Sequence, residues 1–263
     1  MKNNYFFILF LLNVAPITAQ ETFQLAPPLL TYPSVFFTKE ATINMAFAEA
    51  NTQIRYTTNG TEPTENDPIY SRPISIKKNF TTLKAKVFSK IYQPSDVVSV
   101  TFIKDGLPIK SVENTLPNPK YTGSGATTLI DNQGGNATTS SKTWLGFQTE
   151  TVDIVLNLNK KQTVKSVLVN LLQSYGSWIF LPERIEAFYF DDKIQSFQLI
   201  GNQTFNQDKN ANTPFYTPSV IEFKKGIKTD KIKLTLYPLK HIPDWHAGKG
   251  QKGWLFIDEI KVY

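Results

Sequence analysis

The chain has 263 residues, of which 41% are hydrophobic and 13% aromatic, and its formal net charge is +6. This length is enough for one large or two ordinary domains, and the composition excludes global disorder. No dense basic run interleaves with aromatic residues, so a nucleic-acid partner is not expected. The chain has no cysteine, which excludes disulfides, thiolate metal sites, cysteine nucleophiles and a lipidated cysteine anchor.

Residues 1–19 have the pattern of a signal peptide. Lys2 precedes an apolar run from Tyr5 to Leu12, and Ile17-Thr-Ala19 resembles a cleavage site with small residues. The apolar run is too short to cross a bilayer, although a membrane anchor is the alternative interpretation. We therefore expect a secreted, periplasmic or cell-surface protein without a membrane span.

Residues 22–105 are predicted to form a first domain, a small antiparallel β-sandwich. Short segments alternate apolar and polar residues, as strands with one buried face do. Turn signals such as Asn59-Gly60 separate them. The predicted strands are 42–47, 53–57, 74–76, 81–88 and 97–102.

Four segments of this domain resemble the chitobiase/β-hexosaminidase C-terminal domain. They are Ile54-Arg-Tyr-Thr-Thr-Asn-Gly-Thr-Glu-Pro63, Pro68-Ile-Tyr70, Pro73-Ile-Ser-Ile76 and Leu83-Lys-Ala-Lys-Val87. The resemblance implies an immunoglobulin-like appendage of a secreted glycosidase, which serves as a spacer or docking module. Glu62, Glu65 and Asp67 share one loop, and we expect a solvated loop there rather than a cation site.

A linker is predicted over residues 106–117, where Pro and Gly are frequent, and a second domain over 118–263. The second domain again contains a series of strand-like runs, which favours a β-sandwich or jelly roll. The last run, 254–263, must pair with an earlier strand, because its backbone groups would otherwise stay unsatisfied. The runs are 151–158, 164–171, 184–190, 194–200, 220–223, 230–236 and 254–263.

Several segments of the second domain resemble the discoidin-like (coagulation factor 5/8 type C) domain, which has the fold of the family-32 carbohydrate-binding modules. They are Ala126–Asp131, Trp144–Phe147, the strand pair Val152–Leu158 and Val164–Leu171, Gly176–Pro182, and Trp254–Ile260. Together with the first domain, the chain is similar to the C-terminal half of bacterial secreted β-N-acetylhexosaminidases. The catalytic barrel of those enzymes is missing, so the resemblance implies a protein that is not an enzyme.

The adjacent carboxylates Asp258 and Glu259 are the one catalytic candidate, because hexosaminidases cleave with an adjacent Asp-Glu pair. Neighbouring residues of a strand point to opposite faces, so this pair is not expected to converge on one substrate atom. The enzymes carry their pair on a barrel of ~250 residues, for which the chain has no room. His241 and His246, the only histidines, lie in no zinc-protease motif, and no serine-hydrolase elbow is present.

A calcium site is implied by the discoidin resemblance, between the loop that begins at Asp131 and the carboxylate of Glu259. Calcium prefers several oxygen ligands, and the loop 132–141 offers hydroxyl and carbonyl groups. The loop departs from the family pattern, because it reads Asp131-Asn-Gln-Gly-Gly without a further Asp. A glycine-rich hairpin in which Asp131 caps a turn is the alternative, and both interpretations stay open.

A sugar site is the most specific functional hypothesis. Sugar rings stack their C–H bonds on exposed aromatics, while carboxylates and His bind the hydroxyl groups. Trp144 and Trp254 are expected in the core instead, and Trp178 is ambiguous between core and site. The candidate ligand-binding residues are Tyr175, Trp178, Asp244, Trp245 and His246.

The sequence thus predicts a secreted, two-domain, all-β, non-catalytic protein that binds N-acetylhexosamine- or galactose-containing glycans. The alternative is a structural or docking partner of a separate glycosidase. A split-off appendage of a β-N-acetylhexosaminidase is a third interpretation. The exposure of Tyr175, Trp178 and Trp245 distinguishes glycan binding from docking, because a docking protein would bury these rings and expose a flat apolar patch elsewhere.

Overall fold

A computed structural model describes residues 23–134, 137, 142–211 and 213–263. The described chain is all-β, as predicted, with fourteen strands and two short 3-10 helices, Gly125–Leu129 and Tyr175–Ser177. Neither of these helices has the length and apolar character needed to cross a membrane. The predicted signal peptide, residues 1–19, lies outside the described residues.

The first unit is a β-sandwich of two small sheets. One sheet has the strand order β1-β3-β5, and the other has the order β2-β7-β6-β4. The strands are β1 (Leu29–Thr31), β2 (Phe36–Phe37), β3 (Ala41–Ala46), β4 (Thr52–Thr57), β5 (Ile74–Ile76), β6 (Phe80–Ser89) and β7 (Val98–Lys104).

The alternating pattern of these strands explains the sandwich. In β3, Ala41, Ile43 and Met45 are buried, while the residues between them are exposed. In the opposite sheet, Leu83 and Phe102 are fully buried and belong to the same hydrophobic cluster as Ile43. Burying apolar surface of both sheets in one layer is the main favourable free-energy term of such a sandwich.

The second unit is built on one seven-stranded sheet with the order β12-β11-β13-β10-β14-β9, and β8 also pairs with β10. The longest ladder is formed by β10 and β13, which lie side by side in antiparallel register. The strands are β8 (Ile109–Asn114), β9 (Leu145–Phe147), β10 (Val152–Gln173), β11 (Arg184–Asp191), β12 (Ser196–Thr204), β13 (Phe215–Tyr237) and β14 (Leu255–Val262).

Two pairs of predicted strands are each one long strand in the structure. The runs 151–158 and 164–171 merge into β10, and 220–223 and 230–236 merge into β13. The β10–β13 ladder is irregular between Asn157 and Gln162 and again between Val164 and Ser166. Such irregularities bend a strand. Side chains before and after them share one hydrophobic cluster, so the two halves of the sheet enclose a common core.

The segment predicted as a linker, 106–117, contains strand β8. This strand pairs with the first half of β10, for example Val112 with Leu156. Its alternating pattern is short and is flanked by prolines, which are typical of linkers, so the strand was not predicted from the sequence. The second unit therefore begins earlier than the predicted residue 118.

The C-terminal strand β14 pairs with β10 on one side and with β9 on the other, which confirms the predicted upstream partner. All eight of its residues are buried. Three of them, Asp258, Glu259 and Lys261, carry ionisable side chains. A strand that buries charges must satisfy each of them with a partner.

The two units share an interface. Leu168 belongs to the hydrophobic cluster of the first unit, and Tyr216, Val220 and Tyr263 pack against that cluster. The Tyr263 hydroxyl donates to the backbone oxygen of Lys104 at 2.8 Å. Burial raises the pKa of Tyr263, so the hydroxyl keeps the proton that it donates. The end of the chain thereby fixes the first unit against the second.

Candidate functional site

A tight loop projects Trp178 from the end of β10. Ser174 and Ile179 exchange two backbone hydrogen bonds of 3.0 Å, which close the loop. Trp178 has φ 61° and ψ 28°, a left-handed conformation that is uncommon for a bulky residue. The Trp254 amide donates to the Trp178 backbone oxygen at 2.8 Å and helps to hold it in place. Strained backbone of this kind is enriched at ligand-binding sites.

A second loop, residues 241–253, carries Trp245 and His246. Ile242 is buried and anchors the loop. Its amide donates to the Gln251 oxygen and its own oxygen accepts from the Gly250 amide, each at 2.9 Å. Gly250 has φ +75°, which glycine adopts without steric cost. These bonds give the loop a defined shape without a ligand.

The His246 ring contacts both indoles. Its centroid is 6.2 Å from the Trp178 ring and 5.8 Å from the Trp245 ring, both nearly perpendicular. The Gly248 amide donates to Nδ1 at 3.0 Å, and Nε2 lies 3.1 Å from the Tyr175 backbone oxygen. Nδ1 therefore accepts and Nε2 donates, which is the hydrogen-bond pattern of a neutral imidazole. With both nitrogens engaged, His246 positions the indoles.

We call Tyr175, Trp178, Phe180, Trp245 and His246 the aromatic cluster. Trp178 and Trp245 remain 40% and 39% exposed, while Tyr175 is buried. The centroids of the Tyr175 and Trp245 rings lie 4.9 Å apart. The Tyr175 hydroxyl donates to the backbone oxygen of Asp208 at 2.8 Å. Tyr175 therefore supports Trp245 from below, and the two indoles form the accessible surface.

The structure brings all five predicted sugar-site residues to one end of the second unit. Ile179 and Trp254 form a parallel bridge that holds the two loops together. Asp244 is exposed beside Trp245. Of the tryptophans predicted in the core, Trp144 is 2% exposed and Trp254 is partly buried.

Two ring contacts of this site were not predicted from the sequence. Phe180 is buried, and its ring lies 5.3 Å from His246. Gly248 passes under the Trp178 indole, since a Cβ at this position would lie 3.1 Å from two ring atoms. The apolar run Trp178–Leu181 and the glycines of the loop are visible in the sequence, but neither indicates which ring meets which backbone.

A cleft of about 240 Å³ lies next to the aromatic cluster. Gly253 and Leu239 line it, and Gly253 also packs against the Phe180 ring. Its polar groups include Glu150, which pairs with Lys252, and His241. The hydrogen bond and the charge of Lys252 lower the pKa of Glu150, so this carboxylate is an ionised acceptor at neutral pH.

The position predicted for calcium holds a lysine ammonium group instead. Lys261 Nζ lies 2.7 Å from Glu259 Oε1, 2.8 Å from Asp105 Oδ1 and 2.5 Å from Asn132 Oδ1. The three contacts match the three protons of an ammonium group. The backbone N–H of Asn132 donates to the other carboxylate oxygen of Glu259, Oε2, at 2.9 Å. We call Lys261, Glu259, Asp105 and Asn132 the junction network.

These residues do not fit a calcium ion. Calcium takes about six to eight oxygen ligands, and the oxygens of Glu259 already have partners. Asp131 Oδ1 accepts from the Gln133 amide at 2.8 Å, which matches the alternative in which Asp131 caps a turn. No group of three or more His, Cys, Asp or Glu side chains in the described residues could hold a metal ion. Thr138, Thr139 and Ser140 lie outside the described residues.

Burial raises the pKa of two carboxyl groups at this position, Glu259 and Asp131. It raises the pKa of Glu259 to about 7, although the charge of Lys261 opposes the shift. Burial likewise raises the pKa of Asp131. These shifts follow from desolvation of the charged form.

Asp258 and Glu259 cannot reach an external substrate, because both are fully buried. Asp258 Oδ1 accepts from Asn170 Nδ2 at 2.7 Å, and Glu259 is held in the junction network. The adjacent pair is therefore part of the packing of β14. Burial, and not strand alternation, is therefore the main argument against a catalytic role for this pair. The β10–β14 ladder is irregular at this point, so regular alternation does not apply there.

Comparisons with known proteins give partial matches. No curated protein sequence matches the chain. The Fn3 associated family matches residues 43–102, within the first unit. The resemblance of this unit to the hexosaminidase appendage stays a prediction.

Similar solved structures include carbohydrate-binding modules. The family 32 module of Streptococcus pneumoniae EndoD is 15% identical, with a TM-score of 0.39 over 60% of this chain and 96% of that one. Module CBM32-5 of Clostridium perfringens GH89, in complex with GalNAc-β-1,3-galactose, is 15% identical, with a TM-score of 0.39 over 58% and 94%. A Ruminococcus gnavus GH29 fucosidase is 12% identical, with a TM-score of 0.36 over 58% of this chain and 24% of the fucosidase. At these identities and TM-scores, function has to be inferred from the geometry of the chain itself.

Proposed function

We propose that the chain is a non-catalytic protein that binds glycans through the aromatic cluster of the second unit. The observation that carries this proposal is the pair of indoles at Trp178 and Trp245, which are 40% and 39% exposed and both contact the His246 ring. Large apolar rings are normally buried, so two adjacent exposed indoles held by a rigid framework favour a binding surface.

The chemistry of the cluster suits a sugar. The indole faces offer apolar, electron-rich surfaces for the C–H bonds of a pyranose ring. Asp244, exposed beside Trp245, offers acceptor oxygens for sugar hydroxyls. The adjacent cleft adds the carboxylate of Glu150 and the imidazole of His241. The hexosaminidase resemblance favours N-acetylhexosamine- or galactose-containing glycans as ligands.

Preorganisation supports the same function. The Trp178 loop is closed by paired backbone bonds, and the 241–253 loop by the bonds of Ile242. The Trp178 indole also rests on the backbone of Gly248. A site that is already ordered loses little conformational entropy on binding, which favours affinity for a weakly interacting ligand such as a sugar.

The alternative function, docking to a separate glycosidase, draws support from another surface. Leu199 on the edge strand β12 is 55% exposed, and Ile194 nearby is 58% exposed. These aliphatic side chains offer no aromatic face for a sugar ring, whereas the two indoles do, so we favour glycan binding. Export to the periplasm, cell surface or medium is proposed from the pattern of residues 1–19.

A glycan array tests the proposal. We expect the mature protein to bind N-acetylhexosamine- or galactose-containing glycans. Trp178→Ala and Trp245→Ala should each weaken binding about tenfold or more, the effect of losing a central aromatic contact. Lys249→Ala is the matched control, because Lys249 is exposed on the same loop outside the cluster. Calorimetric titration with the best glycan gives the affinities, and thermal melting verifies folding.

A blank array with a folded protein would contradict glycan binding and favour the docking alternative. That alternative is then tested directly with a purified β-N-acetylhexosaminidase, comparing the wild type with Leu199→Asp. Affinity that stays unchanged for every bound glycan in both tryptophan variants would place the glycan site elsewhere in the molecule.

A further inference from the structure

A second concave surface lies on the first unit, far along the sequence from the aromatic cluster. It is an open cleft of about 570 Å³ at strand β4 and the end of strand β6. This volume is within the range of about 300–1,000 Å³ that is usual for ligand sites. Its lining includes Gln53, Arg55, Glu65, Phe88, Lys90 and Ile91.

Strand register places the key side chains on one face. Gln53 pairs directly with Phe88 across β4 and β6. The alternate residues Ile54 and Val87 are directed to the core side, where Ile54 packs against the cluster of the first unit and Val87 is fully buried. Because strand side chains alternate, Gln53, Arg55 and Phe88 share the outer face of the four-stranded sheet.

Arg55 is held in a fixed orientation at this face. Its Nη1 donates to the backbone oxygen of Asp67 at 2.6 Å, and its Nη2 donates to Gln53 Oε1 at 3.0 Å. Its buried Nε has no hydrogen-bond partner in the residues that the structure describes. A guanidinium group has five N–H donors, so a fixed Arg55 retains donors beyond those that position it.

The cleft also has an apolar floor. Phe88 lies within it, and Ile91, which is 61% exposed, lies beside Phe88 in the lining. Side chains with amide or hydroxyl groups also line the cleft, namely Asn51, Gln53 and Ser89. An aromatic ring in the same cleft as hydrogen-bonding side chains can orient ligands having both C–H and hydroxyl faces.

We propose that this cleft is a second saccharide site, separate from the aromatic cluster. The charges of its lining nearly balance, with Arg55 and Lys90 against Glu65, which favours a neutral saccharide over a strongly anionic one. The Phe88 ring receives the C–H face of a sugar. Arg55, Gln53 and Asn51 bind its hydroxyl or N-acetyl oxygens.

Two sites on one protein change how it binds a polymer. The units are joined by the interface that includes Leu168 and Tyr263, so the two sites hold a fixed relation to each other. On a glycan surface, the second contact is then intramolecular, and avidity can exceed either single affinity by about 10²–10⁴. Neither site needs to bind tightly for the protein to remain on a polysaccharide.

The test separates the two sites by substitution in the full chain. One variant carries Trp178→Ala and Trp245→Ala, and a second carries Gln53→Ala and Arg55→Met, where Met retains part of the apolar stem of Arg55. A third carries all four substitutions. Ser99→Ala is the control, because Ser99 is exposed on the outer face of the same sheet, outside the lining of the cleft. The probes are an array of neutral N-acetylhexosamine- and galactose-containing oligosaccharides and beads of insoluble chitin.

We expect the tryptophan variant to retain binding to at least one array saccharide, and the four-substitution variant to lose it. On chitin beads, each two-substitution variant should dissociate at least about tenfold faster than the wild type. If the tryptophan variant loses all binding, the second site is overturned, while the first stands. If Gln53→Ala with Arg55→Met behaves like Ser99→Ala although its melting temperature is unchanged, the second site is again overturned. Binding removed only by the cleft variant would support the second site and overturn the first.

Discussion

The last segment of the chain, residues 241–263, supplies two regions of opposite character. Its loop half presents Trp245 and supports Trp178, two apolar rings that remain 39% and 40% exposed. Its strand half hides Glu259 and Lys261, two charged side chains that are almost inaccessible. The loop exposes large apolar rings, which proteins normally bury. The strand buries ionisable side chains, which proteins normally expose.

This difference in burial indicates which of the two regions is available for binding. In the junction network, every strong polar group has a partner within the chain, so no capacity remains for a ligand. In the aromatic cluster, hydrogen bonds fix His246, but Trp178 and Trp245 remain 40% and 39% exposed. Buried charge therefore indicates assembly of the two units, and exposed apolar surface indicates a partner outside the molecule.

The largest expected effect comes from Lys261→Met. This change leaves the Glu259 carboxylate buried without its counter-ion, and removing one partner of a buried pair costs about 3–5 kcal/mol. We expect the free energy of unfolding to fall by about that amount at pH 8, measured by urea denaturation. Lys249→Met, at an exposed position, is the control and should change stability by less than about 0.5 kcal/mol. Equal stability of the two variants would mean that the junction network contributes little.

The pH dependence of Glu259 sharpens the same comparison. Its pKa of about 7 in the folded protein exceeds the ordinary value of 4.5, so the folded state binds a proton that the unfolded state has lost between these pH values. Its contribution to stability is therefore complete below pH 4.5 and is lost as the pH rises through 7. Relative to Glu259→Gln, the wild type should lose on the order of 3 kcal/mol over this range. Parallel stability curves of the two proteins would contradict the raised pKa.

A smaller effect is expected from Gly248→Ala in the aromatic cluster. The added methyl group would lie 3.1 Å from two atoms of the Trp178 ring, so the indole must shift by a few tenths of an ångström. We expect glycan affinity to fall about two- to fivefold, which is below about 1 kcal/mol, with no loss of folding. Gly176→Ala is the matched control, because no atom lies within 4 Å of the position of its Cβ. Unchanged affinity in both variants would show that the precise position of the ring is unimportant.

The smallest expected effect is that of calcium. Because Lys261 provides the positive charge beside Glu259, neither excess calcium nor a chelator should change the melting temperature of the wild type. A calcium-dependent rise in melting temperature, measured by differential scanning fluorimetry, would show that the ion finds other ligands. Repeating the scan with Asp131→Asn would then show whether the carboxylate of Asp131 is one of them.

Much of the fold can be predicted from the sequence, because alternating apolar residues specify strands locally. The C-terminal strand is an example. The exposure of Trp178 and Trp245 agrees with the loop positions predicted for them. The continuity of β10 could not be predicted in this way, since the polar residues between 158 and 164 resemble a turn. The ladder with β13 carries the chain through this stretch with a local irregularity.

The sequence by itself determined the all-β class, the pairing requirement of the last strand and the types of residue near the sugar site. Only the tertiary structure decided which charged residues are buried and which rings are exposed. Lys261 is an ordinary strand lysine in the sequence, and Asp105 and Asn132 become its partners only when distant segments meet. Burial depends on the atoms that surround a side chain, and most of those atoms come from residues far away in the chain.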